Sequence, residues 1–357
     1  MNILFAYYIP SGGMETLARQ RSAALSKHGI SFHFLYFYKG LGVQNIRGIP
    51  TFVTNKNQEI LKIIKDGNYD LVIVCSDYPF VERLRKLGYK GNIIFEVQGL
   101  GDFTTAERWL KDAVNYIEPN NVNGILFPKT PHLIRLIDTI YPNHKKFCFD
   151  NCIDTSIFQY KTNTCPTTPI IGWVGRIEEN KNWRDFLKIC SLLLERNPNI
   201  HIWMFEDASL SSKEERKAFL TTVENLNLSK KLTIFDNIPH DKMPEYYSMI
   251  GDSGGFLCST SKVEGFGYAI VESMSCRCPV LTTDSDGVKR SVIHNETGKI
   301  YPHHNILKAI EEAEELMNNT STRQNIINAA EKLVHTKFSL SMYANNFLKM
   351  LDTLKQT

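Results

Sequence analysis

The chain has 357 residues, with 41 Lys and Arg against 38 Asp and Glu and a net charge of +3. That length exceeds the ~250–300 residues at which a single hydrophobic core stops growing, so two domains are expected. The near balance of charge argues against a nucleic-acid partner, and no run approaches the ~20 apolar residues of a membrane span.

The opening stretch MNILFAYYIP is too short and uncharged for a secretory leader, so the expected location is cytoplasmic. A basic concentration at 82–92, ERLRKLGYKGN, reads first as a solvated helix face. Its alternative is contact with anionic lipid, which would make the protein peripheral at the inner membrane surface. Eight cysteines, at 75, 148, 152, 165, 190, 258, 276 and 278, suit reduced thiols in a core better than a disulfide framework. Neither Cys276-x-Cys278 nor Cys148-x-x-x-Cys152 has a partner pair or a nearby His at zinc spacing, so no metal site is expected.

In chain order, apolar runs alternate with segments of helical period. NILFAYY is followed by a helix over 14–27, then FHFLYFY, LVIVCS, a helix over 81–87, NIIFEV, GILFP and a helix over 133–139. The alternation stalls at 155–169, TSIFQYKTNTCPTTP, which is polar, Thr-rich and carries two prolines. It resumes with IIGWV, a helix over 183–195, HIWMF, a helix over 213–225, LTIF, a helix over 243–250, GGFLCS, a helix over 268–275 and VLTT. From Asn305 onward the pattern is helical alone. Runs buried on both faces and alternating with helices imply parallel sheets, hence an α/β chain of two Rossmann-like doubly wound domains, 1–160 and 165–338. Ligands bind beyond the carboxyl ends of such strands, so two facing halves would form a central cleft.

Four stretches then invite chemistry. YIPSGGMETLARQ places Gly12 and Gly13 at a strand-to-helix corner, where backbone amides attract anions. It is not Gly-x-Gly-x-x-Gly, which counts against a nicotinamide dehydrogenase. IIGWVGRIEENKNW sets Arg176 and Lys181 on the loop leaving a strand, where two cations can bracket a diphosphate or simply be solvated. VEGFGYAIVE holds Glu264 and Glu272 eight residues apart; on one helix they would be ~12 Å and ~80° from each other, too far for a shared proton. With Gly265, Phe266 and Gly267 opening a helix at Tyr268, its amides can receive an anion. Glu264 is then placed for sugar hydroxyls and Glu272 for a ribose diol, the plain alternative being dipole or surface carboxylates.

The ordered set resembles family 4 of the retaining, nucleotide-sugar-dependent glycosyltransferases, enzymes of the B-type two-Rossmann-domain fold. It comprises Gly12-Gly13, NCID at 151–154, Gly175-Arg176 with Lys181-Asn182, the run from IPHDKMPEYY through VEGFGYAIVESMSCRCPVLTTDSDGV, and ETGKIY. The resemblance implies that Arg176 and Lys181 hold the donor diphosphate, Glu264 the sugar and Glu272 the ribose. It puts backbone groups at Phe205 to Asp207 and at Ile238 near the base, and packs residues 340–357 back on the first, acceptor-binding domain. It further implies a UDP-sugar, with GDP-mannose as the alternative, and transfer of a hexosyl or N-acetylhexosaminyl group to a glycan, lipid-linked or protein acceptor. No cofactor, metal or enzymatic nucleophile is required on that reading.

The chain departs from the family pattern at three points. Gln98, with Asp102 nearby, stands where relatives often have a His, so both become acceptor-side candidates. Arg277 takes a turn position usually held by Gly, which predicts an altered turn. Lys289 and Arg290 replace a common Glu. Two other functions fit the same fold: a nucleotide-sugar epimerase or hydrolase, and a non-catalytic sugar-nucleotide-binding subunit.

Overall fold

The apolar runs form two parallel sheets in the computed structural model, which describes residues 1–162 and 166–355. In the first sheet the strands are β1 (Asn2–Tyr7), β2 (Ser31–Tyr36), β3 (Thr51–Val53), β4 (Leu71–Cys75), β5 (Asn92–Glu96), β6 (Gly124–Phe127) and β7 (Lys146–Cys148). Their order is β3-β2-β1-β4-β5-β6-β7. With helices α1 (Gly12–Ser26), α2 (Asn57–Gly67), α3 (Tyr78–Lys86), α4 (Phe103–Ala113) and α5 (Pro131–Ile140), they belong to a unit of Met1–Asp154 joined by residues from Phe338 on. Every residue of β4 is buried, as a central strand covered on both faces requires.

The second unit, Thr155–Lys337, repeats the plan. Its strands are β8 (Ile170–Val174), β9 (His201–Glu206), β10 (Leu232–Asp236), β11 (Phe256–Ser259), β12 (Val280–Thr283) and β13 (Lys299–Tyr301), in the order β10-β9-β8-β11-β12-β13. Its helices are α6 (Trp183–Arg196), α7 (Lys213–Asn225), α8 (Met243–Asp252), α9 (Tyr268–Ser275), α10 (Ile306–Asn318) and α11 (Thr320–Lys337). The strand order reverses between β8 and β11, and crevices for ligands open at the carboxyl ends of strands at such a switch point. Of the linker stretch 155–169, residues 163–165 lie outside the described residues, and Cys165 with them.

The last helix, α12 (Leu340–Lys355), rejoins the first unit through a buried charge. Arg21 of α1 is fully buried, donates through Nη1 to Glu96 Oε2 at 2.9 Å and through Nε to the Tyr343 hydroxyl at 2.7 Å. The faces of Phe5, Tyr343 and Phe347 lie 5.6 to 5.8 Å from its guanidinium carbon.

Three strands escape the sequence pattern because none is a continuous apolar run. β3 and β7 have no buried residue, and β13 opens on Lys299, which is fully buried and paired with Glu315 at 2.5 Å and Glu312 at 3.0 Å. The strand predicted as GGFLCS is shorter than expected. Gly254 turns at φ +83°, and a Cβ on Gly255 would fall 1.8 Å from the Ile170 carbonyl oxygen, so both glycines make the tight turn before β11.

The basic stretch is engaged within its own unit. Arg83 donates to Asn57 Oδ1 at 2.7 Å, Arg85 to the carbonyls of Tyr89, Gly91 and Asn121, and Lys86 pairs with Glu82 at 2.7 Å. The seven described cysteines are free thiols, and burial pushes Cys278 up to about 12. Among the described residues, no three His, Cys, Asp or Glu side chains are grouped to hold a metal ion. Nor, among them, is any helix long and apolar enough to cross a membrane.

Candidate functional site

The loops leaving β8 and β11 meet because those strands are neighbours. Asn180 zips them together: its carbonyl accepts from Lys262 N–H at 2.8 Å, and its side-chain amide exchanges bonds with the Val263 backbone at 3.1 and 3.2 Å. Thr260 Oγ1 donates to the Lys181 carbonyl at 2.9 Å and accepts from the Trp173 indole at 3.2 Å. Lys181 Nζ is thereby delivered to Glu264 Oε1, which also accepts from Ser261 Oγ at 2.8 Å. The lysine and glutamate side chains are 20% and 15% exposed, so the pair is reachable yet partly desolvated.

Gly175 is needed beside them. A Cβ there would come within 2.8 Å of the Trp173 ring and 3.2 Å of Lys181 Cγ. Arg176 is not drawn into the pair: its guanidinium, half exposed, lies 3.0 Å from Glu178 Oε1. Of the two cations expected to bracket a diphosphate, Lys181 rests on Glu264 and Arg176 on Glu178.

Glu264 leads into the start of α9. Gly267 caps that helix at φ +72°, ψ 59°, a conformation that favours glycine, while Phe266 is buried with its ring 4.9 Å from that of Tyr268. The first-turn amides of a helix have no partner within it, and they form the positive end of its dipole. Gly287 seats this corner, since a Cβ on it would lie 2.0 Å from the Gly265 carbonyl oxygen and 2.2 Å from that of Glu264. Gly287 carries no signal of its own in the amino-acid order beyond its place in the DSDGV run, because its close approach is to Gly265, 22 positions earlier, and not to its own turn.

Glu272 lies on the second turn of α9 and is 3% exposed. Its Oε1 is 2.8 Å from His240 Nε2, and its Oε2 accepts from the Tyr247 hydroxyl at 3.1 Å. Burial beside the Glu272 carboxylate pushes the Tyr247 phenol well up, so it remains a donor. His240 and Tyr247 were not singled out by the sequence; both lie in HDKMPEYY, and the only signal was that segment's place in the ordered resemblance. Beyond Glu272 the helix ends with Arg277 at φ +61°. Cys278 N–H bonds to the Ser273 carbonyl at 2.9 Å and Arg277 N–H to that of Met274 at 3.2 Å, the paired bonds of a Schellman cap. The turn expected to change therefore keeps its left-handed residue, with the Arg277 guanidinium over the Tyr160 ring at 5.6 Å.

The two expected base-side segments lie together at the carboxyl ends of the paired strands β9 and β10. Phe205 is 3% exposed, stacks on Phe235 at 4.8 Å, and its carbonyl accepts from Gly175 N–H at 3.0 Å, so it braces the β8 loop. Asp207 caps the next turn, accepting from Ser209 N–H at 3.0 Å. Ile238 is half-buried and follows Asn237, whose N–H bonds to the Glu206 carbonyl at 2.7 Å. Glu206 in turn takes both Nη atoms of Arg216 at 2.6 Å.

In the first unit, Gly12 at φ +59° and Gly13 open α1 after an extended Ser11. Gln98 is tied to Glu96 at 3.0 Å and exchanges bonds with Asn151 at 3.0 and 3.2 Å, making it an extension of the Arg21–Glu96 pair. Asp102 caps α4 by accepting from Thr105 N–H at 2.8 Å, which holds its carboxyl below the usual carboxylate range.

Two doubly wound parallel sheets, with a lysine–glutamate pair and a glycine-opened helix at the switch point of the second, define an α/β architecture with a crevice suited to an anion. Residues 155–333 match the family described as glycosyl transferases group 1, and the chain belongs to that family. It is 27% identical over 188 residues to the capsular polysaccharide biosynthesis glycosyltransferase CapM of Staphylococcus aureus, covering 50% of this chain and 47% of that one. It is 19% identical over 303 residues to the poly(ribitol-phosphate) alpha-N-acetylglucosaminyltransferase of S. aureus, covering 82% of this chain and 57% of that one. The chain thus spans about half the length of these curated relatives. Among solved structures, sucrose-phosphate synthase from Thermosynechococcus elongatus superposes with a TM-score of 0.82 at 15% identity, covering 100% of this chain and 99% of that one. Anabaena HepE in complex with UDP and glucose does so with 0.80 at 14% identity, covering 99% and 100%. The fold is that of the B-type glycosyltransferases.

Proposed function

We propose that the protein transfers a hexosyl or N-acetylhexosaminyl group from a nucleoside-diphosphate sugar to a hydroxyl of a glycan, lipid-linked or protein acceptor, with retention at the anomeric carbon. The observation that carries this reading is the Lys181–Glu264 pair beside the amino terminus of α9. A cation and a helix start at one crevice suit a diphosphate, and a carboxylate with a lone pair to spare suits sugar hydroxyls. UDP is favoured over GDP because UDP and glucose occupy HepE, and UDP accompanies an alpha-GlcNAc-glycerol in S. aureus TarM.

In this mechanism the bond from the anomeric carbon to the diphosphate oxygen breaks as Lys181 and the α9 amides stabilise the charge that develops. Arg176 joins them by leaving Glu178 when the diphosphate arrives. The acceptor oxygen bonds to the same face of that carbon, and its proton passes to the departing phosphate oxygen. No side chain needs to act as nucleophile, and the cations supply the electrostatic stabilisation, so no cofactor is called for. Acceptor contacts are assigned to the first unit.

The test is a calorimetric panel of UDP, GDP, ADP and their sugars, followed by the anomeric configuration of the product by NMR. Tight binding of UDP and an axial product from an axial donor are expected. Binding of no nucleotide, or inversion, would overturn the proposal; epimerised or hydrolysed donor formed equally with and without acceptor would replace it.

A further inference from the structure

We infer that His240 and Tyr247 are positioning residues that hold the Glu272 carboxylate with one acceptor site on each oxygen left for the two hydroxyls of a ribose. The inference rests on the assignment of Glu272 to the ribose, and extends it to residues outside the nucleotide contact itself.

A carboxylate has about four acceptor sites, two on each oxygen. Here each oxygen takes one donor from the protein, His240 on Oε1 and Tyr247 on Oε2. The remaining two match the donor count of a vicinal diol. The donors also come from different elements: Tyr247 from α8, 1% exposed, and His240 from the short turn His240–Lys242 that precedes it. A rotation of the carboxylate that improved one bond would break the other, so the group is held in one plane. The His240 ring is itself seated, with its centroid 4.7 Å from that of Phe158. A glutamate has three side-chain torsions to immobilise, and a buried carboxylate without donors bears a large desolvation penalty. The two bonds remove both costs before the nucleotide arrives, which is what preorganisation of a recognition group requires.

The geometry also assigns the imidazole its hydrogen. Glu272 can only accept when ionised, so His240 donates from Nε2. A side-chain amide at position 240 could make the same bond.

The experiment titrates UDP and 2′,3′-dideoxyuridine diphosphate into the full chain and into E272Q, H240A, H240Q and Y247F by calorimetry, with thermal midpoints as a check on folding. H240A and Y247F are expected to bind UDP about tenfold more weakly, the loss of one bond to a charged group, and to bind the dideoxy compound as the parent does. H240Q is expected to recover most of the UDP affinity. Equal weakening toward both nucleotides, or none toward UDP, overturns the inference. E272Q separates the two layers: if it keeps the parental preference for UDP over the dideoxy compound, the ribose assignment fails. If E272Q loses that preference and H240A keeps it, only the positioning role fails.

Discussion

Replacing Lys181 with Ala removes the cation held on Glu264. The Lys181 side chain is 20% exposed, so its charge acts in surroundings closer to a protein surface than to bulk water. At an effective dielectric constant of about 20, a unit charge 4 Å away contributes about 4 kcal/mol. Removing one donor from a preorganised anion site costs about 2.7–4 kcal/mol in the transition state, or roughly two to three orders of magnitude in turnover. The two figures agree, and both place the loss in kcat more than in KM, because the charge on the diphosphate grows as the sugar departs. Folding should suffer far less: Glu264 keeps its bond from Ser261, and its own 15% exposure lets water replace the ammonium. The assay is the initial rate of nucleotide release from a UDP-sugar at saturating donor, with and without acceptor, alongside urea unfolding. Turnover within about fivefold of the parent would refute the reasoning, since that is under ~1 kcal/mol of transition-state stabilisation.

Gly287→Ala should abolish measurable donor binding, since its Cβ would displace the backbone of Glu264 and Gly265 and with it the start of α9; nucleotide affinity by calorimetry reads this, and parental affinity would contradict it. At the Schellman cap, Arg277→Gly should be about 1 kcal/mol more stable than Arg277→Ala, because both lose the Tyr160 contact and only Ala keeps the left-handed strain. Urea midpoints compare the two. Arg21→Ala should destabilise the first unit by about 3–5 kcal/mol by stranding the buried Glu96 carboxylate, whereas R21M with E96L should recover most of that loss. Thermal unfolding followed by circular dichroism distinguishes them.

Much of this architecture was legible in residue patterns. Runs such as LVIVC, all five residues buried, can only be strands covered on both faces, and their alternation with amphipathic segments implies parallel sheets. The helix α9 was readable to its limits, because Gly267 starts it and the Arg-Cys-Pro turn ends it within the same short window. The edge strands β3 and β7 were not, since a strand with one free edge needs no continuous apolar run. The loops were legible as loops, but their uses were divided unevenly. Asp102 caps a helix, and Phe205 on β9 braces the loop leaving β8 through its carbonyl, because a residue's partner is set by what packs beside it.

By itself, then, the amino-acid order determined the two-sheet plan and where the loops leaving β1, β8 and β11 would emerge. The tertiary structure alone decided which side chains would share a loop's space. Lys181 and Glu264 are 83 residues apart and meet because β8 and β11 are adjacent where the strand order reverses, while Arg176, on the same loop as Lys181, turns to Glu178. Glu272 finds His240 and Tyr247 at separations of 32 and 25 residues. Periodicity reports the face on which a residue lies. It carries no information about which strand lies next to which, and that order, set by nonlocal packing of helices on the sheet, is what builds the site.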